Sequence, residues 1–172
     1  MNSKQSVRKW AISKRKELDM NVISSVLADK LTKMEEYKKA KNIMIFYPLK
    51  NEVDLRILLK DKTKKFYLPK INGENLLCCP YEEDGETCMS CFNTCEPISE
   101  PCSKSCIDVV IVPALAVDIN GFRIGYGKGF YDRFLKNYAG LKVVCIPSKL
   151  IVKTVFPEKH DIRMDFVITE LG

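Results

Sequence analysis

The 172-residue sequence has one histidine and one tryptophan, and its longest apolar run, Val109 to Val117, is nine residues that include a proline. That run is about half of what a membrane-spanning helix needs, so no bilayer span is expected. The lone histidine comes with no recognisable nucleophile–base arrangement. No Lys or Arg occurs from Ile71 to Ser103, a stretch that holds seven carboxylates and six of the eight cysteines. The sequence also lacks internal repeats, Ser/Gly linkers and long blocks of one charge sign, so residues 1–172 read as a single domain. The first sixteen residues are polar and lack the apolar core of a signal peptide, which predicts a cytoplasmic protein with reduced thiols.

What is present begins with an uneven charge. The net charge is +6, yet residues 1–41 carry 11 Lys and Arg against 5 Asp and Glu, while the other 131 residues balance at 17 against 17. Good helix formers from Ser3 to Leu18, and apolar residues at helical spacing from Ile23 to Met34, predict a helical N-terminus of one long or two consecutive helices. Strands are predicted at Asn42 to Leu49, Lys65 to Pro69, Asp108 to Pro113, Lys142 to Ile146 and Phe166 to Thr169, with helices at Val53 to Lys60 and Phe130 to Tyr138. The continuous β-branched run of DVVIVP suits a parallel strand covered on both faces. The alternation implies an α/β fold, a mostly parallel sheet flanked by helices in a Rossmann-like three-layer arrangement. Ligands of such sheets sit at the carboxyl ends of the strands.

After that strand comes VDINGFRIGYGKGFYDR, residues 117–133, with glycines at 121, 125, 127 and 129. Such a loop lets backbone N–H groups converge on phosphate oxygens. Lys128 adds a point charge, Arg123 a planar fork for phosphate, and Asp132 a carboxylate able to hold Mg²⁺. Together these are what MgATP requires. No Ser or Thr follows Lys128 and the glycine spacing differs, so the loop is not a Walker A motif. By composition alone it could also be a turn-rich connector.

The run RIGYGKGFYDR closely resembles the signature of the 5-formyltetrahydrofolate cyclo-ligases, also called methenyltetrahydrofolate synthetases, and other elements extend the likeness over nearly the whole chain. Lys4-Gln5-Ser6-Val7-Arg8 resembles a KxxLR element with Val in place of Leu. Tyr47 and Glu52 in FYPLKNEVD, the pair Glu96-Pro97, and Pro113-Ala114-Leu115-Ala116 with Asp118 fall where that family has its counterparts. The resemblance implies ATP-dependent closure of 5-formyltetrahydrofolate to 5,10-methenyltetrahydrofolate, with ADP and phosphate released. It implies ATP contacts from Lys4, Arg8, Arg123, Gly125, Gly127, Lys128, Gly129 and Tyr131. Folate contacts follow from Arg8, Tyr47, Glu52, Tyr126, Gly127, Lys128 and Phe130. Mg²⁺ falls to Asp132 and Asp165, the latter in HDIRMDFVITE, and Lys128 and Arg123 to the charge developing during catalysis. His160, beside Asp161, is read as a surface or supporting residue.

Without the resemblance, Lys4 and Arg8 would be a solvated helix face, Tyr47 and Phe130 core residues, and Glu52 a helix cap. Cys88-x₂-Cys91-x₃-Cys95 with Cys102-x₃-Cys106 has thiolate-ligand spacing suited to zinc. The favoured reading is reduced side chains in a variable loop. Two other functions stay open on the residues alone: a related α/β enzyme acting on a phosphorylated sugar or CoA ester, and a nucleic-acid binder using the basic N-terminus.

Overall fold

The computed structural model describes residues 1–89 and 94–172. The N-terminal region forms α1 (Lys4–Arg15), α2 (Met20–Lys33) and the short α3 (Glu35–Lys39). Ser3 opens α1 with a capping box: its hydroxyl accepts from the Ser6 N–H at 3.2 Å while the Ser6 hydroxyl accepts from the Ser3 N–H at 3.1 Å. Asp19 makes the first two helices separate, because its carboxylate accepts from the Val22 N–H and starts a new helix.

The strands are, in chain order, β1 (Asn42–Met44), β2 (Lys65–Asn72), β3 (Asn75–Pro80), β4 (Thr87–Met89), β5 (Cys95–Pro97), β6 (Val109–Ile111), β7 (Ala116–Asp118), β8 (Arg123–Ile124), β9 (Leu141–Cys145), β10 (Ile151–Val152) and β11 (Phe166–Ile168). Helix α4 (Phe130–Leu135) lies between β8 and β9. The main sheet runs β11-β9-β6-β1-β2-β3, parallel throughout except for the β2–β3 hairpin. A small sheet, β10-β7-β8, and the hairpin β4–β5 stand apart from it.

Alternate residues of the central strands go to opposite faces, and both faces are covered. Ile43, Phe66, Val109, Ile111 and Val143 pack in one cluster with Leu27 and Leu31 of α2 and Tyr37 of α3. Met44, Tyr67, Val110 and Val144 pack in the other with Val7 and Ala11 of α1 and Phe134 and Leu135 of α4. This is the three-layer α/β arrangement the strand–helix alternation implied. Aspartates organise its amino edge. Asp108, just before β6, accepts from the Lys41 and Asn42 N–H groups at 2.9 and 2.8 Å. Asp165, just before β11, accepts from the Lys142 N–H at 2.8 Å and pairs with the Lys142 ammonium at 2.9 Å.

Besides short elements that the sequence reading did not anticipate, three expected elements change in extent or type. The strand expected to Leu49 ends at Met44, although the Ile45 N–H still donates to the Tyr67 carbonyl, because the chain then turns through Pro48 with the Glu52 N–H on the Leu49 carbonyl. The helix expected over residues 53–60 is a 3₁₀ turn, Arg56–Lys60. Its start is held open by side chains: the Asp54 N–H donates to the Ser24 hydroxyl at 2.9 Å, and Asp54 in turn accepts from the Arg56 N–H at 3.0 Å. Helix α4 stops short of Tyr138 because Lys136 turns extended, with a ψ of 125°, and Asn137 follows at a left-handed φ of 59°.

Candidate functional site

The carboxyl ends of β1 and β6 are neighbours, and the chain leaves them in opposite directions, β1 towards β2 and β6 towards β9. Such a switch point parts the two following loops and opens a crevice. A cavity of about 860 Å³ lies there, lined by Phe46, Tyr47, Leu49 and Glu52 after β1 and by Pro113, Ala114 and Leu115 after β6. Lys4 and Arg8 of α1 and residues 123–132 of the glycine loop complete much of its wall.

Buried Asp118 builds the approach to the loop. Its carboxylate accepts from the Asn120 and Phe122 N–H groups, both at 3.0 Å, and from the Val155 N–H at 3.2 Å. The chain can then turn and return along β7, with Val117 opposite Arg123. Gly127 has a φ of +105°, which strains any residue with a side chain, and its bare Cα lets the Arg8 guanidinium pack over it. Arg8 also donates Nε–H to the Gly125 carbonyl at 2.9 Å, tying α1 to the loop. A Cβ on Gly125 would come 2.9 Å from an Arg123 guanidinium nitrogen.

The charges here mostly answer one another. Lys4 Nζ sits 2.5 Å from Asp161 Oδ2 and 2.8 Å from Glu158 Oε1. Burial works against the Lys4 ammonium, but the two carboxylates hold its pKa above the ordinary lysine value. Asp161 is likewise opposed by burial yet held below the usual carboxylate range by Lys4 and the Glu158 N–H. Arg123 is buried, 3.6 Å from Asp132 and 5.6 Å from the Tyr131 ring centroid, and its Nε–H has no partner among the described residues. Asp132, in the first turn of α4, also accepts from the Ile162 N–H at 3.4 Å. Lys128 is exposed and makes no hydrogen bond or ion pair among the described residues.

A second group of polar residues lines the cavity around Glu52. Glu52 is buried; its carboxylate accepts from the Leu49 N–H at 2.7 Å. Burial pushes its pKa up, opposed by that N–H and by the charge of Arg15. Tyr126 is half exposed, and burial of its hydroxyl, with Glu52 nearby, raises its pKa as well. Tyr47 accepts from Arg56 at 3.1 Å, and the Arg56 guanidinium lies 4.8 Å over its ring centroid. Buried Glu96, from β5, also lines the cavity and accepts from the Ile71 N–H at 3.4 Å.

Every residue expected at the site lines this cavity except Asp165. As a correction, Asp165 stands at the amino edge of the parallel sheet with its carboxylate bonded to Lys142, whereas the cavity is at the carboxyl edge. The carboxylate that HDIRMD delivers to the cavity is Asp161, joined by Glu158 and His160. His160 is exposed, with Nε2 3.5 Å from Asp161. The sequence reading missed Glu158 and Asp161, whose only signal was their place beside His160. It also missed Arg15, which looked like one more cation on a basic helix.

The zinc spacing does not close into a site. Cys91 lies outside the described residues. Cys88 registers with Glu96 and Cys95 with Met89, so the two cysteines face opposite sides of the β4–β5 hairpin. Cys102 lies opposite Cys78, with 3.5 Å between the sulfurs. No three metal-ligating residues cluster among the described residues. The basic N-terminus is also accounted for in part: besides Lys4 and Arg8, Lys14, Lys33 and Lys38 pair with Glu17, Asp29 and Glu35.

Together the fold and the site define an α/β protein in which a glycine-rich loop and an aromatic, carboxylate-bearing wall share one cavity at the switch point of a parallel sheet. The model of the 5-formyltetrahydrofolate cyclo-ligase family matches residues 1–170. The chain is 30% identical over 142 residues to a 5-formyltetrahydrofolate cyclo-ligase of Escherichia coli K12, covering 76% of this chain and 78% of the relative. A mouse protein of the same name is 25% identical over 166 residues, covering 86% of this chain and 82% of its own. The solution structure of Aquifex aeolicus 5,10-methenyltetrahydrofolate synthetase superposes with a TM-score of 0.88 at 31% identity, over 98% of this chain and 90% of that one. The chain belongs to the 5-formyltetrahydrofolate cyclo-ligase family. No helix among the described residues is long and apolar enough to cross a membrane.

Proposed function

We propose that the protein uses ATP to close 5-formyltetrahydrofolate into 5,10-methenyltetrahydrofolate, releasing ADP and phosphate. One observation carries this reading: a single cavity of about 860 Å³ is lined both by Lys4, Arg8, the glycine loop and Asp132 and by Tyr47, Glu52 and Tyr126. The first set suits a triphosphate. The second offers flat faces and acceptors for a pterin ring with its N–H donors.

The chemical obstacle is an amide-like formyl carbon whose oxygen leaves poorly. In this reading the formyl oxygen attacks the γ-phosphorus of ATP, and ADP departs. The folate's own N10 then attacks the activated carbon, loses its proton, and the oxygen leaves as phosphate. Phosphoryl transfer of this kind needs positioning and charge neutralisation more than a covalent nucleophile, which agrees with a chain carrying one histidine. Lys128, free of partners among the described residues, would meet the transferring phosphoryl group, and the Gly125, Gly127 and Gly129 backbone would cradle it beside Arg8 and Lys4. Buried Arg123 and partly buried Tyr131 support this wall, with Arg123 holding Asp132 in place. Tyr126, Phe130 and Tyr47 would bracket the folate, held bent so that N10 sits at high effective concentration.

The donor set fits Mg²⁺, which takes one or two carboxylates and fills its remaining positions with phosphate oxygens and water. Asp132 and Asp161 are the carboxylates that would hold it. The ion supplies charge neutralisation for the phosphate oxygens. We place the protein in the cytoplasm, where its thiols stay reduced.

The test is to mix the protein with 5-formyltetrahydrofolate and MgATP and follow the absorbance of methenyltetrahydrofolate. Product that requires both ATP and Mg²⁺ supports the reading. Absence of product rejects it.

A further inference from the structure

Arg15 ends α1 beneath the cavity and is 4% exposed, although it is not among the residues lining that cavity. One guanidinium nitrogen donates to the Asn51 carbonyl at 3.4 Å and the other to the Ala114 carbonyl. Asn51 belongs to the loop after β1 and Ala114 to the loop after β6, so a single side chain bridges the two loops that the switch point separates. Asn51 itself is held at a φ of 63°, next to Glu52. A surface arginine placed there by chance would turn its charge to water. This one gives up hydration to bind two backbone carbonyls, and its Nε–H has no partner among the described residues.

We propose that Arg15 is a positioning residue for the folate side of the cavity: it clasps the two switch-point loops together and so holds the Glu52-bearing loop in place. The proposal rests on the folate reading of Glu52. Among the described residues, the groups that act electrostatically on Glu52 are Arg15 from α1 and Tyr126 and Tyr131 from the glycine loop and the start of α4, and the Leu49 N–H from its own loop donates to it. Arg15 is the one cation in that set. Its charge offsets part of the burial that would otherwise neutralise Glu52. A neutral Glu52 would be a poorer acceptor for cationic or N–H donor groups of a pterin.

Two measurements on the full chain test this. Carboxyl-carbon NMR of the ligand-free protein follows Glu52 through an acid titration, with the resonance assigned by its loss in Glu52→Gln. In Arg15→Met the Glu52 midpoint rises by about one pH unit. Arg15→Lys, which keeps a charge but not the planar fork, shifts it less. An unmoved midpoint in Arg15→Met overturns the proposal. The second measurement is steady-state kinetics. Arg15→Met raises KM for 5-formyltetrahydrofolate about tenfold and leaves KM for ATP within about twofold, and it adds little once Glu52→Gln is present. Equal losses in both KM values, or an additive loss on top of Glu52→Gln, give Arg15 a purely structural part and overturn the proposal. If Arg15→Met does not fold, Arg15→Lys decides: a folate KM raised about threefold with ATP unaffected supports it, and any other pattern overturns it. A wild type that does not turn over 5-formyltetrahydrofolate would remove the folate reading alone, because the NMR titration still decides whether Arg15 governs Glu52.

Discussion

On the side of the cavity assigned to phosphates, charged side chains bond mainly to one another, whereas on the side assigned to folate they bond to backbone. Lys4 is held by Asp161 and Glu158, Asp132 stands near Arg123, and Lys128 extends unpaired among the described residues. Such contacts can be exchanged for a phosphate oxygen or a cation without moving the main chain. Glu52 and Arg15 are buried and fastened to the Leu49 N–H and to the Asn51 and Ala114 carbonyls. Those bonds cannot be traded for a ligand without shifting loops. The difference teaches that one side stores exchangeable charge for a highly charged substrate, while the other is shaped in advance for a flat one.

The largest effect should come from removing the unpaired cation. Lys128→Ala is expected to lower turnover by about 10³-fold, measured by methenyltetrahydrofolate absorbance at saturating MgATP. A rate within about threefold of wild type would show that the phosphate side is misassigned. The next effect separates two aspartates. Asp161→Asn should cost about 10²-fold in turnover and raise the Mg²⁺ concentration needed for half-maximal rate. Asp165→Asn should leave turnover within about twofold, since its carboxylate serves Lys142 at the far edge of the sheet. The reverse order would break the placement of the site.

That pair of aspartates also shows where the sequence was legible and where it was not. The glycine loop carries its chemistry in consecutive residues, so its position could be read directly, and the buried strands at 109–111 and 141–145 announced themselves by continuous β-branched and apolar residues. In HDIRMD the two aspartates lie four residues apart, about 13 Å along an extended chain, so only one can reach a given point. Which one does is decided by the Met164 N–H bonded to the Gly121 carbonyl and the Phe122–Arg163 bridge, long-range contacts with no local sequence mark. The same limit hid β7, β8 and β10, whose two or three residues are too few for a period. Arg15 was illegible because burial of a cation depends on which carbonyls the fold brings to it.

A smaller effect should come from loosening the clasp on Lys4. Glu158→Gln leaves Asp161 as its remaining carboxylate partner at 2.5 Å, and KM for ATP should fall about twofold with folate KM unchanged. A rise in ATP KM would mean that Glu158 supports binding instead of competing with it. The smallest effect is on stability. Burial raises the folded-state pKa of Glu52, so its contribution is fully present below the ordinary carboxyl pKa and is lost as pH rises through the raised value. Glu52→Gln keeps an acceptor for the Leu49 N–H and removes that loss. It should therefore raise Tm at neutral pH by about 2–4 °C, corresponding to about 1 kcal/mol, with the gain vanishing in acid. A Tm that falls at neutral pH would show that the carboxylate is better satisfied than its burial implies.

The central claim, that ATP activates the formyl oxygen, is tested most directly by isotope tracing. 5-Formyltetrahydrofolate carrying ¹⁸O in its formyl group is turned over with unlabelled MgATP in unlabelled water, and the released inorganic phosphate is analysed by mass spectrometry. The account predicts one ¹⁸O atom in each phosphate. Unlabelled phosphate, with the isotope recovered in water, would contradict it.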